Sequence, residues 1–589
     1  MTDETKCLLG QYYTPPEVVD LIFALCLATY PKNTLSLLDP CVGKGIFPER
    51  LNCFLDSLPF LKEVTGLCLD VDHRSIESTQ KKLYGLNLRG SFEFRQEDFF
   101  FLKPSPIFDL IISNPPYLRQ EIHSAFIKEH LRQDLENKLR LKLSKRVDLY
   151  VYFFLYSYFF LNDCGRIGFI SSNSFLSAAY GRPLQRFLQD HFKILFIVDS
   201  KIERFFSDAA INACITILEK CASSLERAAH QIKFIQFFRP LKEIFHFHTT
   251  EHWSSLLEFS NLASSTKTNL KTSSWRIRKV EQRSLESHNS PVSFSAPQKR
   301  WNIYLRAPKL YFDILKSSGD KLIPLTKIAQ VKRGIRTGAN DFFYQKTTSL
   351  QHFSDADLKF FKPLIKSSKD LKSIFIRPRD ISWSAFSCSI PKKDLNDSLL
   401  NFIEKAENSG LNKRMDHSRK LWYYLNLPSP APLLLSQILS NRFIIFLNKA
   451  NAIADQRLIE INPFKKEETD LIAAILNSTV SHLFLELIGR TQLGEGGLGL
   501  PASDISQLTI LNPSKINFTE KRSILNAFKA LLKRPIYKIP KELSYKDRQT
   551  LDSIVLGLLT QETKLSELYS VFTTLVQNRL SKAKLFFVS

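Results

Sequence analysis

Up to about residue 220, short apolar runs alternate with stretches whose apolar positions recur at helical spacing. The runs Leu35–Leu38, Val64–Asp72, Phe92–Phe94, Phe108–Ser113, Cys164–Asn173, Ile194–Val198 and Ala213–Leu218 read as strands, because short apolar runs bounded by turn signals fit strands buried in a sheet. Val18, Val19, Leu21, Ile22, Leu25 and Cys26 give an early helix its apolar face, with Thr14 as its cap and prolines in its first turn. Residues 119–145 read as basic and helical, and Asp148 opens an apolar helix that runs to Leu161. Alternating strands and helices predict an α/β fold built on a doubly wound parallel sheet.

The pattern changes beyond residue 250. Residues 261–298 are rich in Ser, Thr, Asn and Lys and poor in periodic apolar positions, so 251–300 is read as a linker or solvated loop. This places a first domain at 1–250, a second, mixed α+β domain at 301–513 beginning at Trp301–Pro308, and a helical region at 514–589. Leu556, Leu559, Leu565 and Leu568 mark the apolar faces of those last helices. Phe245-His246-Phe247-His248 alternates as a strand would and puts two histidines on one face. No third ligand-type residue stands at suitable spacing, so no metal site is expected.

Composition adds one division. At 589 residues the chain exceeds one ordinary core, and 44% hydrophobic with 24% charged residues is the balance of a globular protein. The nine cysteines form no Cys-x-x-Cys pair and read as buried thiols of a cytoplasmic protein. The first ten residues are polar, unlike a signal peptide, and the run Leu149–Leu161 is shorter than the roughly 20 residues of a membrane span. Residues 1–220 carry 26 Lys+Arg and 26 Asp+Glu, so the whole net charge of +23 lies in 221–589. A neutral first part and a basic second part suggest chemistry in the former and a polyanion held by the latter.

The candidate chemistry sits where strands end. Asp39-Pro40-Cys41-Val42-Gly43-Lys44-Gly45 is a strand end followed by a glycine turn, without the spacing of a Walker loop or of Gly-x-Gly-x-x-Gly. Asp70 and Asp72 end the second strand, where an acid can hold ribose hydroxyls or cap the next helix. Asp98-Phe99 follows the third strand and pairs an acceptor with an apolar ring. The fourth strand runs into Asn114-Pro115-Pro116-Tyr117. Neither proline has an N–H, so strand pairing stops there. The Asn114 carboxamide and the Pro115 carbonyl then form two fixed acceptors for a planar NH2 group, beside the flat face of Tyr117. Farther on, Lys332, Arg333, Arg336 and Thr337 lie in a glycine-bounded loop suited to phosphates. Arg490 and Gln492 lie in the glycine-rich stretch Gly489–Gly497 and could reach base edges.

In this order, the motifs resemble the gamma class of S-adenosylmethionine-dependent adenine-N6 DNA methyltransferases of restriction–modification systems. The resemblance runs to about Pro513 and implies a Rossmann-like methyltransferase domain followed by a target-recognition domain. It implies that Tyr13, Thr14, Pro15, Asp39, Pro40, Gly43, Gly45, Asp70, Asp98 and Phe99 bind S-adenosylmethionine. Asn114, Pro115, Pro116 and Tyr117 are implied to be catalytic, with Tyr117 and Phe206 stacking on the flipped base. Lys332, Arg333, Arg336, Thr337, Arg490 and Gln492 are implied to contact double-stranded DNA. The family pattern often puts the ribose-binding acid two residues before Asp70, where this chain has Cys68, so either Asp70 or Asp72 takes over the ribose contact or cofactor binding is weakened. The expected protein is a monomer that needs no metal, any endonuclease being a separate chain. The competing readings are a methyltransferase for RNA adenine or protein glutamine, and a DNA-binding specificity protein with an inactive methyltransferase half.

Overall fold

The apolar runs that the sequence marks as strands pair into one large sheet. The computed structural model describes residues 14–86, 89–116, 125–145, 147–202, 205, 212–285, 300–369, 371–415, 421–491 and 496–585. Among these, the chain divides between Arg306 and Ala307 into two units. The first unit holds β1 (Thr34–Asp39), β2 (Glu63–Asp70), β3 (Ser91–Gln96), β4 (Phe108–Ser113), β5 (Leu161–Ser172), β6 (Phe192–Ser200), β7 (Ala213–Lys220), β8 (Gln231–Phe237), β9 (Leu270–Lys271) and β10 (Trp275–Glu281). They form a ten-stranded sheet of order β3-β2-β1-β4-β5-β7-β6-β8-β10-β9. The strands from β3 to β5 are mutually parallel. β7 is antiparallel to β5 and β6, and β10 to β8, so the sheet is mixed and not parallel throughout. Strand spacing does not set direction, and β7 returns beside β6 as an antiparallel neighbour.

Helices α1 (Pro16–Leu27), α2 (Ile46–Leu55), α3 (His73–Tyr84), α4 (Ala125–Leu139), α5 (Leu149–Ser157) and α6 (Arg182–His191) complete the alternation. Every residue of α5 is buried, which accounts for its apolar run, and Leu161 already belongs to β5. Pro15 occupies the cap position of α1 and Pro16 its first turn, so Thr14 stands one residue outside and does not cap it. No single helix among the described residues is long and apolar enough to cross a membrane.

Of the stretch read as a linker, residues 251–285 and Arg300 are part of this unit, and residues 286–299 lie outside the described residues. Residues His252–Ser265 form α7, and β9 and β10 extend the sheet beyond β8. Their polar residues are paired within the fold: Arg278 donates to the Tyr304 carbonyl at 2.9 Å, and Arg276 donates to that of Leu305. Trp301, 1% exposed, packs edge-on against Phe175, so the segment expected to open the second domain closes the first. His246 and His248 take positive φ values of 46° and 70° and lie in a turn, not a strand. His252 is buried: Nδ1 lies 2.8 Å from the Phe245 carbonyl and Nε2 2.8 Å from Asp20 Oδ2. Arg50 completes the cluster with two bonds to Asp20, at 2.7 and 2.6 Å. Both ring nitrogens of His252 thus face acceptor oxygens, which fixes the plane of the imidazole.

In the second unit, Ala329–Arg333, Leu458–Pro463, Leu433–Ser436, Ile445–Asn448 and Phe375–Ile376 form a five-stranded sheet in that order. Tyr344–Lys346, Trp383–Phe386, Phe361–Ile365 and Ile453–Ala454 form a four-stranded one. The buried helices Thr469–Leu476 and Thr479–Ile488 carry the terminal helices with them. Asp552 accepts from the Thr479 amide at 2.7 Å and its hydroxyl at 2.6 Å, and Arg579 donates to Glu486 at 2.7 Å. Residues 514–585 are thus bonded into the core of this unit.

Replacing Asp20 by Asn should leave Arg50 without its counter-charge and His252 without its carboxylate partner. Breaking a buried ion pair costs about 3–5 kcal/mol, so the urea midpoint should fall accordingly. An unchanged midpoint would show that this cluster does not hold α7 on the domain.

Candidate active site

The site is built where the strand order reverses. β1 lies between β2 and β4, so the chain leaves β1 toward one side of the sheet and later returns on the other. Ligands in open α/β sheets bind in the crevice at the carboxyl ends of such strands. Those ends carry Asp39 on β1, Asp70 on β2 and Ser113-Asn114 on β4.

Asp39 is fully buried. Its Oδ1 accepts from the Cys41 amide at 3.1 Å and from the Ser113 hydroxyl at 3.4 Å. Its Oδ2 is buried without a hydrogen-bond partner among the described residues. Burial pushes the carboxyl up to about 8, against the opposing pull of the Cys41 amide. The Ser113 bond ties the end of β4 to the glycine turn, one residue before Asn114.

The glycine turn is held from both sides. Gly43 has φ +53°, donates its amide to Asp70 Oδ2 at 2.9 Å, and faces open space where a Cβ would stand. Gly45 has φ +72°, and a Cβ there would meet Thr79 at 2.5 Å. The Thr79 hydroxyl in turn donates to the Gly43 carbonyl at 2.8 Å. Both positions require left-handed backbone, which glycine adopts without strain. Gly45 precedes α2, whose first turn receives no side-chain cap.

The two acids after β2 have different tasks. Asp72 caps α3 by accepting from the Arg74 amide at 3.1 Å. Asp70 spans the Gly43 and Asp72 amides, at 2.9 and 3.0 Å. Burial raises its carboxyl above the usual range, in opposition to those two amides. Cys68 is fully buried beside Val42 and Ile76, so an acid there would be inside the core. Val71, 51% exposed, is an apolar side chain at this rim that its sequence position alone did not single out.

Asp98 accepts from the Phe100 amide at 3.0 Å and starts a short turn. Phe99 is 1% exposed and packs with Phe153, Tyr156 and Phe160 at 5.2–5.4 Å, so its ring serves the core and offers no face to a ligand. Asn114 is half-buried and Pro115 buried, directly beyond the fully buried β4. Tyr13, Tyr117, Phe206 and Gln492 lie outside the described residues.

In the second unit the expected cations divide. Lys332 pairs with the buried Glu460 at 3.2 Å. Arg333 donates to the Gln456 carbonyl at 2.7 Å and to Gln437 at 3.1 Å. Arg490 pairs with Asp504 at 2.9 Å and remains half exposed. Thr337, 1% exposed, donates to Asn340 at 2.6 Å and accepts from the Ala339 amide. It is a loop anchor and not a surface contact. Arg336 is exposed, and no carboxylate among the described residues pairs with it.

Residues 50–206 match the Eco57I restriction-modification methylase family, and residues 301–551 match the C-terminal domain of Type II methyltransferase M.Eco57I. The chain belongs to the restriction–modification methyltransferases. It is 24% identical over 540 residues, 89% of each chain, to the Type II methyltransferase M.AccI of Acinetobacter calcoaceticus. To M.BstVI of Geobacillus stearothermophilus it is 31% identical over 228 residues, 34% of this chain and 40% of that one. The fold of this methyltransferase is similar to that of the Type IIL restriction-modification enzyme MmeI, solved in complex with DNA. The TM-score is 0.54 at 14% identity, over 99% of this chain and 80% of that one.

Asp39 makes stability depend on pH in a defined direction. Its carboxyl stands near 3.8 when unfolded and at about 8 when folded, so the folded state favours the protonated form. That contribution is present below pH 3.8 and is lost as pH rises toward 8. The Asp39→Asn variant should therefore show a flatter melting profile than the wild type between pH 5 and about 8. Parallel profiles would show that Asp39 stays ionised in the free protein.

Proposed function

We propose that this protein transfers a methyl group from S-adenosylmethionine to N6 of an adenine flipped out of duplex DNA, as a cytoplasmic modification enzyme. The observation that carries this is the placement of Asn114-Pro115-Pro116 at the end of a buried strand, one residue beyond the Ser113–Asp39 bond. A backbone fixed in that way aims the Asn114 amide oxygen and the Pro115 carbonyl in set directions. Two converging acceptors suit an exocyclic amine and draw its nitrogen toward tetrahedral geometry.

The adjoining crevice fits S-adenosylmethionine on chemical grounds. Asp39 Oδ2 is buried and unpartnered among the described residues, and a cationic amino group beside it would offset the burial that favours its protonated form. Gly43 leaves open space for close approach, Asp70 is the acid proposed for the ribose hydroxyls, and Val71 supplies exposed apolar surface next to it in the chain. Bound there, the sulfonium would supply the methyl electrophile. The chain's own part is to exclude water, orient the amine and hold its two hydrogens. Extruding the base costs a few kcal/mol, and stacking on an aromatic returns about 1–3 kcal/mol per contact; Tyr117 and Phe206 are the proposed platforms.

The second unit is proposed as the target-recognition part, supported by its match to the M.Eco57I C-terminal domain and by the basic excess of residues 307–589, 42 Lys+Arg against 26 Asp+Glu. Arg336, exposed and without a carboxylate partner among the described residues, is the cation proposed to meet DNA directly, whereas Arg490 would first give up Asp504; a separate restriction endonuclease is the proposed partner in the system.

Single-molecule sequencing of DNA from cells expressing the protein should reveal N6-methyladenine at one recurring sequence. Asn114→Ala should abolish the mark while DNA binding survives; marks that persist would place the chemistry elsewhere. Label transferred only to RNA or protein would favour the competing methyltransferase readings. Asp70→Ala should weaken S-adenosylmethionine binding at least about tenfold by calorimetry, in line with a charge-assisted bond of about 1.5–3 kcal/mol. Unchanged affinity would remove Asp70 from the ribose contact.

A further inference from the structure

The second unit contains a cavity of 710 Å³ lined by Ile335, Arg336, Ser389, Tyr424, Asn426 and Leu427, among others. Its polar and aromatic residues are presented by an alternating segment. Tyr423 and Leu425 are buried, Leu425 also lining the cavity, while Tyr424 and Asn426 are exposed. Tyr424 and Asn426 both line the cavity, with Leu425 between them contributing to its apolar floor.

This wall is rigid. The Tyr423 hydroxyl donates to the Ile390 carbonyl at 2.9 Å. The Ser387 hydroxyl donates to the Leu425 carbonyl at 2.6 Å and accepts from the Leu425 amide at 3.1 Å. The opposite wall is equally fixed. The Ile335 amide donates to the Ala454 carbonyl at 2.8 Å. A Cβ at Gly334 would collide with the carbonyls of Ala454 and Asp455. Asp455 itself accepts from the Tyr344 hydroxyl at 2.9 Å. Arg336 therefore projects from between two anchored residues, Ile335 and Thr337.

The chemistry of the lining is selective. An aromatic face, a planar amide, a guanidinium and a hydroxyl stand over an aliphatic floor. Side chains that read a base in an intact duplex reach outward into a groove. A concave site of this volume with an aromatic wall instead suits a base that has left the stack. The exposed guanidinium can meet the phosphate or an acceptor edge of that nucleotide.

We propose that this cavity is a nucleobase subsite of the recognition unit. It receives one nucleotide of the target DNA, unstacked and distinct from the methylated adenine, with Tyr424 on its face and Arg336 and Asn426 at its polar edge. The inference rests on the reading of the chain as a DNA methyltransferase.

Equilibrium binding tests it with duplexes carrying the methylated sequence found in expressing cells. An abasic nucleotide is placed at each position in turn, and separately a mismatch that keeps the base but weakens its pairing. For the wild type, one position besides the target adenine should lose about 10- to 100-fold in affinity when abasic and gain affinity when mismatched. In Tyr424→Ala and Asn426→Ala, both effects should vanish at that position alone, with melting temperature and non-specific affinity unchanged. Tyr424→Phe should retain them. Additive losses at every position would overturn the subsite, as would coupling at a position where the mismatch weakens binding. Either result leaves methylation by the wild type standing, whereas a wild type that does not methylate DNA overturns both readings.

Discussion

Everything in the first unit depends on the register of β4 against β1. Leu37 pairs with Leu110 and Leu38 with Ile111, which sets the carboxyl ends of the two strands side by side. A slip of one residue would turn every side chain of β4 to the opposite face, and Asn114 with it. The register is locked at both ends. At the far end, Asp109 accepts from the Ser36 amide at 3.1 Å, the Ser36 hydroxyl at 3.0 Å and Asn162 at 3.1 Å, and pairs with Lys32 at 2.5 Å. Although burial alone would raise the Asp109 carboxyl, these donors hold it below the usual range. At the site end, the Ser113 hydroxyl reaches Asp39. A strand fixed at both ends can present an amide and a carbonyl in set directions without relying on the residues after them.

Distant segments brace that arrangement with buried charge. Arg166, on β5, donates to Glu219 at 2.9 Å and to the carbonyl of Cys26, so it ties β7 and α1 to the strand beside β4. Asp20, Arg50 and His252 tie α1 to α2 and to α7. The helix that follows the glycine turn is thus fixed to Asp20, which His252, 232 positions further along, also holds. Buried ion pairs are weak sources of net stability but strict about partners, which suits elements whose relative placement must not drift.

The strands that meet the site were legible because parallel strands covered on both faces must be apolar throughout, and β4 is buried at every position. The acid pair after β2 was legible as a pair but not by role, since either acid can cap the next helix; the Arg74 amide decides it. Residues 251–285 depart from the linker reading for a physical reason. β10 places Arg276, Arg278 and Lys279 among its seven residues, and composition cannot show that two of them donate to carbonyls of the fold. The Phe-His alternation failed likewise, because left-handed backbone at His246 and His248 interrupts any strand. Phe99 looked like a ligand face because its position follows an acid at a strand end, yet the apolar helix α5 takes up its ring.

The basic excess is also less available than a count of charges suggests. Arg534, Arg548 and Arg579 are bound to buried or half-buried carboxylates, and Lys332 and Arg490 have acids of their own. A cation already paired must give up that partner before it can hold a phosphate, so its contribution to affinity is the difference between two similar interactions. Arg336 bears no such debt among the described residues, and its neighbours Ile335 and Thr337 are anchored. What separates a contact residue from a structural one in this loop is therefore the presence of a local partner, which adjacent positions in the sequence need not share.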